Sequence, residues 1–253
     1  MLEKRALVTG SGRRLGRAMA CALAERGWSV AIHYNSSQQG ADETLRAVRE
    51  AGGDGAMVQA DLSSEADVEG LVDRAVEGLG GPLGLLINNA STFEADTLKD
   101  HSRQDWDYHM QVNLRAPVRL TQAFAAQCAP DSQGLVVNMI DQRVLKLNPN
   151  FFSYTLSKSA LYTATTTMAQ ALAPNIRVNG IGPGPTMRNA RQSEQDFRAQ
   201  KQATLTEQGS PPGEIIRALL YLIDAQAVTG QMIAVDGGQH LIWQTPDIMD
   251  ITE

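Results

Sequence analysis

Short apolar runs alternate with longer amphipathic stretches along the whole chain. The apolar runs at 6–9, 29–34, 56–60, 84–88, 135–140, 176–181 and 232–235 are mostly continuous rather than alternating, as in strands covered on both faces. Helical patterning fills the gaps at 14–26, 38–51, 64–79, 103–127, 151–171 and 213–223. Ser64 with Asp67 three residues on comes close to a capping box, and Gly27 and Gly52 stand where helices should stop. This repetition predicts an α/β fold: one domain over 1–253, a doubly wound, parallel, seven-stranded sheet with helices on both faces. The stretch 186–208 is different, being polar, rich in Gln and Arg and flanked by Pro/Gly clusters. It reads as a helical excursion between the sixth strand and the next helix, at the carboxyl end of the sheet, where substrates are covered. A solvated surface helix fits the same pattern equally well. The length of the tail 243–253 and its Pro246 fit packing over a neighbouring subunit or over the site.

With 253 residues the chain can bury a core without disulfides or metals. A net charge of −6 without any basic run disfavours a nucleic-acid partner. No apolar stretch approaches the roughly 20 residues of a membrane span, and the first strand begins too early to leave room for a signal peptide. A soluble, cytoplasmic protein is expected. Cys21 and Cys128 lie in helical contexts without metal or redox spacing and read as buried free thiols; no metal site is expected.

The first strand runs into Thr9-Gly10-Ser11-Gly12-Arg13-Arg14-Leu15-Gly16 and then a helix. Small residues there let the backbone approach a pyrophosphate, which sits against free helix N–H groups. A dinucleotide is the ligand this context implies. An NAD site places an acid at the end of the second strand, but here the strand ends His33-Tyr34-Asn35-Ser36-Ser37, with no acid before Asp42. Asn and Ser donate to a 2′-phosphate, and Arg13 and Arg14 supply positive charge, so NADPH/NADP+ is the expected cofactor. The two arginines read otherwise as a solvated loop pair.

Near the start of a long helix stand Tyr154 and Lys158, four apart and therefore on one face. An ammonium beside a phenol lowers its pKa from about 10 towards the working range. A carbonyl or imine reductase needs such a group, since the phenol gives a proton as hydride arrives.

With Asp61-Leu62 after the third strand, Asn88-Asn89-Ala90 after the fourth, Asn113, Arg177-Val178-Asn179, Pro183-Gly184 and Val235-Asp236-Gly237-Gly238, the chain resembles the short-chain dehydrogenase/reductases over essentially its whole length. The resemblance implies a Rossmann-type fold in which Asp61 and Leu62 contact adenine, Asn89 and Ala90 run along the cofactor, and Pro183-Gly184 flank the nicotinamide. Lys158 would hold the nicotinamide ribose as well as tuning Tyr154. Asn113 would bend its helix to hold a water in a proton relay ending at Lys158. It further implies a homotetramer packed through the helices 103–127 and 151–171 and the last strand.

Two departures narrow the reading. The family carries a serine thirteen residues before the tyrosine, where this chain has Asp141, and Arg14 replaces the usual second glycine of the turn. A carboxylate repels a developing alkoxide but suits a substrate that is protonated on nitrogen or presents N–H donors. Both departures, with His33-Tyr34 and Ser91-Thr92-Phe93, resemble pteridine reductases and dihydromonapterin reductases. That resemblance implies that Phe93 and the nicotinamide sandwich a pterin, that Asp141 and Tyr154 deliver a proton, and that Arg14 and Ser91 contact pterin or cofactor phosphates. Alone, Phe93 reads as readily as a packing residue. The expected function is NADPH-dependent reduction of a dihydropterin or dihydrofolate; the alternatives are reduction of another small carbonyl or imine compound, and a silent NADP(H)-binding sensor, against which Tyr154, Lys158 and Asn113 argue.

Overall fold

A computed structural model describes residues 2–188, 191–245 and 249. Asn189 and Ala190 of the polar excursion, and Pro246 with most of the tail, lie outside the described residues.

Seven parallel strands form one sheet in the order β3-β2-β1-β4-β5-β6-β7. They are β1 (Arg5–Val8), β2 (Ser29–Tyr34), β3 (Asp54–Gln59), β4 (Leu85–Asn88), β5 (Gly134–Met139), β6 (Ile176–Pro183) and β7 (Met232–Val235). Successive residues point to opposite faces, so each central strand feeds two cores. Ala6, Val8, Leu85 and Ile87 pack with α1 (Arg14–Glu25), α2 (Gln38–Glu50) and α9 (Pro212–Asp224). Leu7, Leu86 and Val136 face the other way, against α4 (Leu71–Gly78), α6 (Ala116–Gln127) and α7 (Phe152–Leu172). Continuous apolar runs are what this double covering requires, and the expected doubly wound Rossmann-type sheet is the one found.

The longest expected helices are interrupted. The stretch 64–79 divides at Gly70 into α3 (Glu65–Glu69) and α4, with the Ser64 hydroxyl accepting the Asp67 N–H as the pattern implied. The stretch 103–127 consists of α5 (Arg103–Met110), a π-helical turn (Gln111–Arg115) and α6. Asn113 lies inside that wider turn, a local expansion that often marks a functional site. The excursion holds α8 (Glu194–Gln202), which buries no residue. Cys21 and Cys128 are free, but half-buried rather than buried. Among the described residues no helix is long and apolar enough to cross a membrane.

Candidate functional site

Strand order reverses between β1 and β4, and a crevice opens where neighbouring crossovers leave on opposite faces. Thr9 ties the two strand ends together: its hydroxyl oxygen accepts the N–H groups of Asn89 (2.9 Å) and Ala90 (3.0 Å), and Asn89 Nδ2 donates to the Thr9 carbonyl at 2.8 Å. The glycines in the turn answer to space. Gly10 has φ +64°, and a Cβ on Gly16 would lie 2.4 Å from the Gly10 oxygen and 2.7 Å from Asn89 Nδ2.

A groove of about 520 Å³ runs over this turn. Its walls include Gly10, Arg13, Arg14, Leu15, Gly16, His33, Tyr34, Asn35, Ser36, Asp61, Leu62, Asn89, Ala90 and Ser91, every expected cofactor residue except Lys158, Pro183 and Gly184. Pro183 closes β6, and Gly184 donates to the Val235 carbonyl at 3.0 Å, on the β6–β7 side of the sheet. Ser37, Thr92, Tyr108 and Val112 also line the groove; the turn and strand-end patterns could not reach the latter two, which α5 and the π turn bring in from a distance. At the end of β2, Asn35, Ser36 and Ser37 are exposed and no carboxylate stands among them. Arg13 is exposed beside them, and its guanidinium engages no partner among the described residues. A groove with this length, backbone access and uncompensated cation fits a dinucleotide carrying a 2′-phosphate.

Two expected contacts take a different form. The His33 ring is 2% exposed, with Nδ1 accepting the Gly10 N–H at 2.9 Å and Nε2 3.1 Å from the Ala60 carbonyl. Burial pulls its pKa down to about 4, so the ring is a neutral pin under the glycine turn. Arg14 has φ +53°, and its guanidinium donates to the carbonyls of Met187 (3.0 Å) and Arg188 (2.8 Å), clasping the turn to the excursion.

The proposed chemistry gathers at the N-terminus of α7. Tyr154, 5% exposed, donates its hydroxyl to Asp141 Oδ2 at 2.8 Å. Asp141 stands just past β5 and also accepts the Arg143 N–H at 2.8 Å, which fixes its orientation. Lys158 Nζ donates to the Met139 carbonyl at 2.8 Å and lies 5.9 Å from the centre of the Tyr154 ring. The expected acidification of the phenol is not what this arrangement produces. Burial first, and then the Asp141 carboxylate, hold Tyr154 well above its ordinary value. Burial lowers Lys158 to about 8, opposed by Asp141. The ammonium's hydrogen bond goes to a backbone carbonyl, so the phenol stays a protonated donor aimed at Asp141.

Asn113 is fully buried, its Nδ2 donating to the Thr92 carbonyl (3.0 Å) and Ser157 hydroxyl (3.1 Å). Its Oδ1 accepts the Ser91 hydroxyl at 3.0 Å and the Thr92 N–H at 2.9 Å. It thus pins the segment after β4 to α7, and Ser91 meets the groove with its hydroxyl already engaged. Phe93 meets Tyr154 edge-on with ring centres 4.6 Å apart, yet its own face stacks on Phe151 at 4.1 Å. The Arg191 guanidinium lies 5.5 Å over the Phe93 ring and donates to the Phe93 carbonyl. Packing and site proximity are both true of Phe93.

Comparisons with known proteins bear on the family and the fold. The family model described as enoyl-(acyl carrier protein) reductase matches residues 10–240. A solved structure of FolM alternative dihydrofolate reductase 1 from Brucella suis, in complex with NADP, is 48% identical with a TM-score of 0.93, covering 96% of this chain and 98% of that one. The promiscuous reductase LugOII, which catalyses keto-reduction at C1 during lugdunomycin biosynthesis, is 30% identical with a TM-score of 0.88 over 95% of this chain and 98% of its own. A 3β-hydroxysteroid dehydrogenase of Eggerthella lenta is 34% identical over 94% of both chains.

Proposed function

The chain belongs to the short-chain dehydrogenase/reductase family, and on that premise we propose that it is an NADPH-dependent reductase of a pterin-like compound, a dihydropterin or a dihydrofolate. The observation carrying this reading is the 2.8 Å bond from the Tyr154 hydroxyl to the Asp141 carboxylate. The likeness to FolM alternative dihydrofolate reductase 1 supports it.

The cofactor supplies a hydride when bound. Gly10, Leu15, Gly16, Asp61, Leu62, Asn89 and Ala90 would hold its adenosine and diphosphate, and Arg13 with Asn35 and Ser36 its 2′-phosphate. Lys158, Pro183 and Gly184 would hold the nicotinamide half. Tyr154 delivers the proton from its hydroxyl oxygen, and Asp141 aims that hydroxyl while its carboxylate accepts N–H donors from a pterin ring. Because burial, and then Asp141, raise the phenol, the proton stays in place until the substrate's basicity rises on reduction. A planar ring stacking on Phe93 displaces the Arg191 guanidinium, and the excursion 186–208 covers the bound substrate. Arg14, through its clasp, couples the cofactor turn to that cover. We place the enzyme in the cytoplasm as a homotetramer packed through α5, α6, α7 and the last strand, β7.

Loss of NADPH absorbance is measured with dihydrobiopterin, dihydromonapterin and dihydrofolate beside a panel of ketones and imines. Turnover of the pterins is expected, and turnover of ketones alone ends the proposal in favour of the second reading, a carbonyl reductase like LugOII. Asp141→Ser restores the residue that ketone reducers carry; it should lower pterin kcat/KM by more than the tenfold that about 1.4 kcal/mol represents. A variant as active as the parent removes Asp141 from proton delivery.

A further inference from the structure

A buried polar chain, unused by the reaction above, holds the first turn of α7 from outside. Asp96, 6% exposed, lies in the connection between β4 and α5. Its backbone carbonyl accepts the Phe152 N–H at 3.2 Å, and its carboxylate accepts the Ser153 N–H at 3.2 and 3.3 Å and the Ser153 hydroxyl. His109 on α5 is fully buried, with Nδ1 2.7 Å from the Ser153 hydroxyl oxygen and Nε2 accepting the Glu94 N–H at 3.0 Å.

The direction of every bond follows. Since Nε2 accepts from a backbone N–H, Nδ1 carries the ring proton and donates to Ser153, whose own hydroxyl proton goes to Asp96. Burial keeps His109 neutral by lowering its pKa, against the raising influence of Asp96, Asp105 and Glu94. Asp96 forms no ion pair among the described residues, and a buried carboxylate needs strong compensation. It finds that in the Ser153 donors and the positive end of the 21-residue α7.

A helix cap needs one residue; this arrangement spends three, from three separate elements. Phe151, at the cap position, has φ +57° and offers no side-chain cap. Glu94 follows Phe93, His109 lies four residues before Asn113, and Ser153 precedes Tyr154, so the chain fixes the three segments that converge on the phenol. The His109 ring itself stands edge-on to Tyr154, 6.1 Å between centres.

We propose that Asp96, Ser153 and His109 form a positioning unit that sets the Tyr154 hydroxyl against Asp141 and Phe93. The unit rests on Tyr154 as proton donor and not on the identity of the substrate, so any compound that the parent enzyme reduces will serve.

Ser153→Ala is the discriminating variant, because it cuts the hydroxyl chain while its backbone N–H still caps through Asp96. The holoenzyme should lose about tenfold or more in kcat, as a small displacement of a reacting group does, with KM for NADPH within about twofold of the parent. Asp96→Ala should lose at least as much, and Asp96→Asn, which keeps an acceptor of the same shape, should recover part of that loss. If Asp96→Ala does not fold, Ser153→Ala and Asp96→Asn decide. A capping role alone predicts kcat unchanged in Ser153→Ala, whose backbone cap is intact, and that result overturns the proposal. Tyr154→Phe is the control: if inactive beside a fully active Ser153→Ala, the positioning unit alone falls; if active, the proton-donor reading falls with it.

Discussion

Lys158 lets the cost of the site be measured. Its side chain is 2% exposed, and burial moves its pKa from 10.5 to about 8. A base whose pKa is lower in the folded than in the unfolded state binds fewer protons when folded, so stability rises with pH between those values. The cost is therefore fully present below about pH 8 and is relieved as pH climbs towards 10.5. At 1.36 kcal/mol per unit, the gap amounts to about 3 kcal/mol at neutral pH. Lys158→Met removes that cost but leaves the Met139 carbonyl without its donor, a loss of about 1–3 kcal/mol. The net change at pH 7 is small, and its pH dependence is the sharper quantity. Between about pH 7 and 9.5 the stability of the variant relative to the parent should fall by about 2 kcal/mol. Urea unfolding without nucleotide, followed by the fluorescence of buried Trp28, gives both curves. A difference that stays constant with pH would refute a depressed lysine. The variant should be inactive whatever its stability, because the ammonium is kept for function at the fold's expense.

Three further outcomes follow from the groove and its turn. Ser36→Asp sets a carboxylate where a 2′-phosphate would lie and should shift the NADPH-to-NADH ratio of kcat/KM towards NADH by tenfold or more, about 1.4 kcal/mol; unchanged selectivity contradicts the 2′-phosphate site. Arg14→Gly and Arg14→Ala both lose the clasp to 187–188, but only glycine relieves the left-handed backbone, so the glycine variant should be more stable by about 1 kcal/mol, and equal urea midpoints would remove the strain. His33, held to about 4 against an ordinary 6.5, contributes a stability that is complete above about pH 6.5 and falls by about 3 kcal/mol as pH drops towards 4; His33→Gln should flatten that slope, and parallel curves for variant and parent would refute it.

The sheet was legible because its strands are buried on both faces, which writes continuous apolar runs into the chain. The groove was legible because the turn, the end of β2 and the end of β4 are each a short contiguous stretch, and each needs small or polar residues for a local reason. What escaped is what the fold brings together over distance. Tyr108 and Val112 reach the groove from the far side of the β4–α5 connection, and Thr9 reveals itself only through the N–H groups of Asn89 and Ala90. The Asp96–Ser153–His109 chain spans 57 residues and has no local pattern. His33 and Arg14 were found, but their partners were not: spacing places a side chain near a ligand without showing that its own backbone neighbours have engaged it first.

The same limit applies to the Tyr154–Lys158 pair, and the difference concerns direction. Four-residue spacing implies a phenol made acidic by an ammonium, a proton donor brought towards the working range of pH. In the structure one cause, burial, moves both groups towards their neutral forms, raising the phenol and lowering the ammonium. Asp141 adds to the first shift and opposes the second, and it receives the phenolic hydrogen bond. A neutral phenol bonded to a carboxylate gives a proton readily only to an acceptor whose basicity grows during the reaction, as ring nitrogen does when hydride adds beside it. The site therefore rests with its proton in place, and the phenolate left when Tyr154 gives that proton up stands beside Asp141 in a buried pocket until it is reprotonated. Burial and then Asp141 thus keep the resting phenol protonated, Asp141 being the residue that sets this chain apart from the serine pattern of its family.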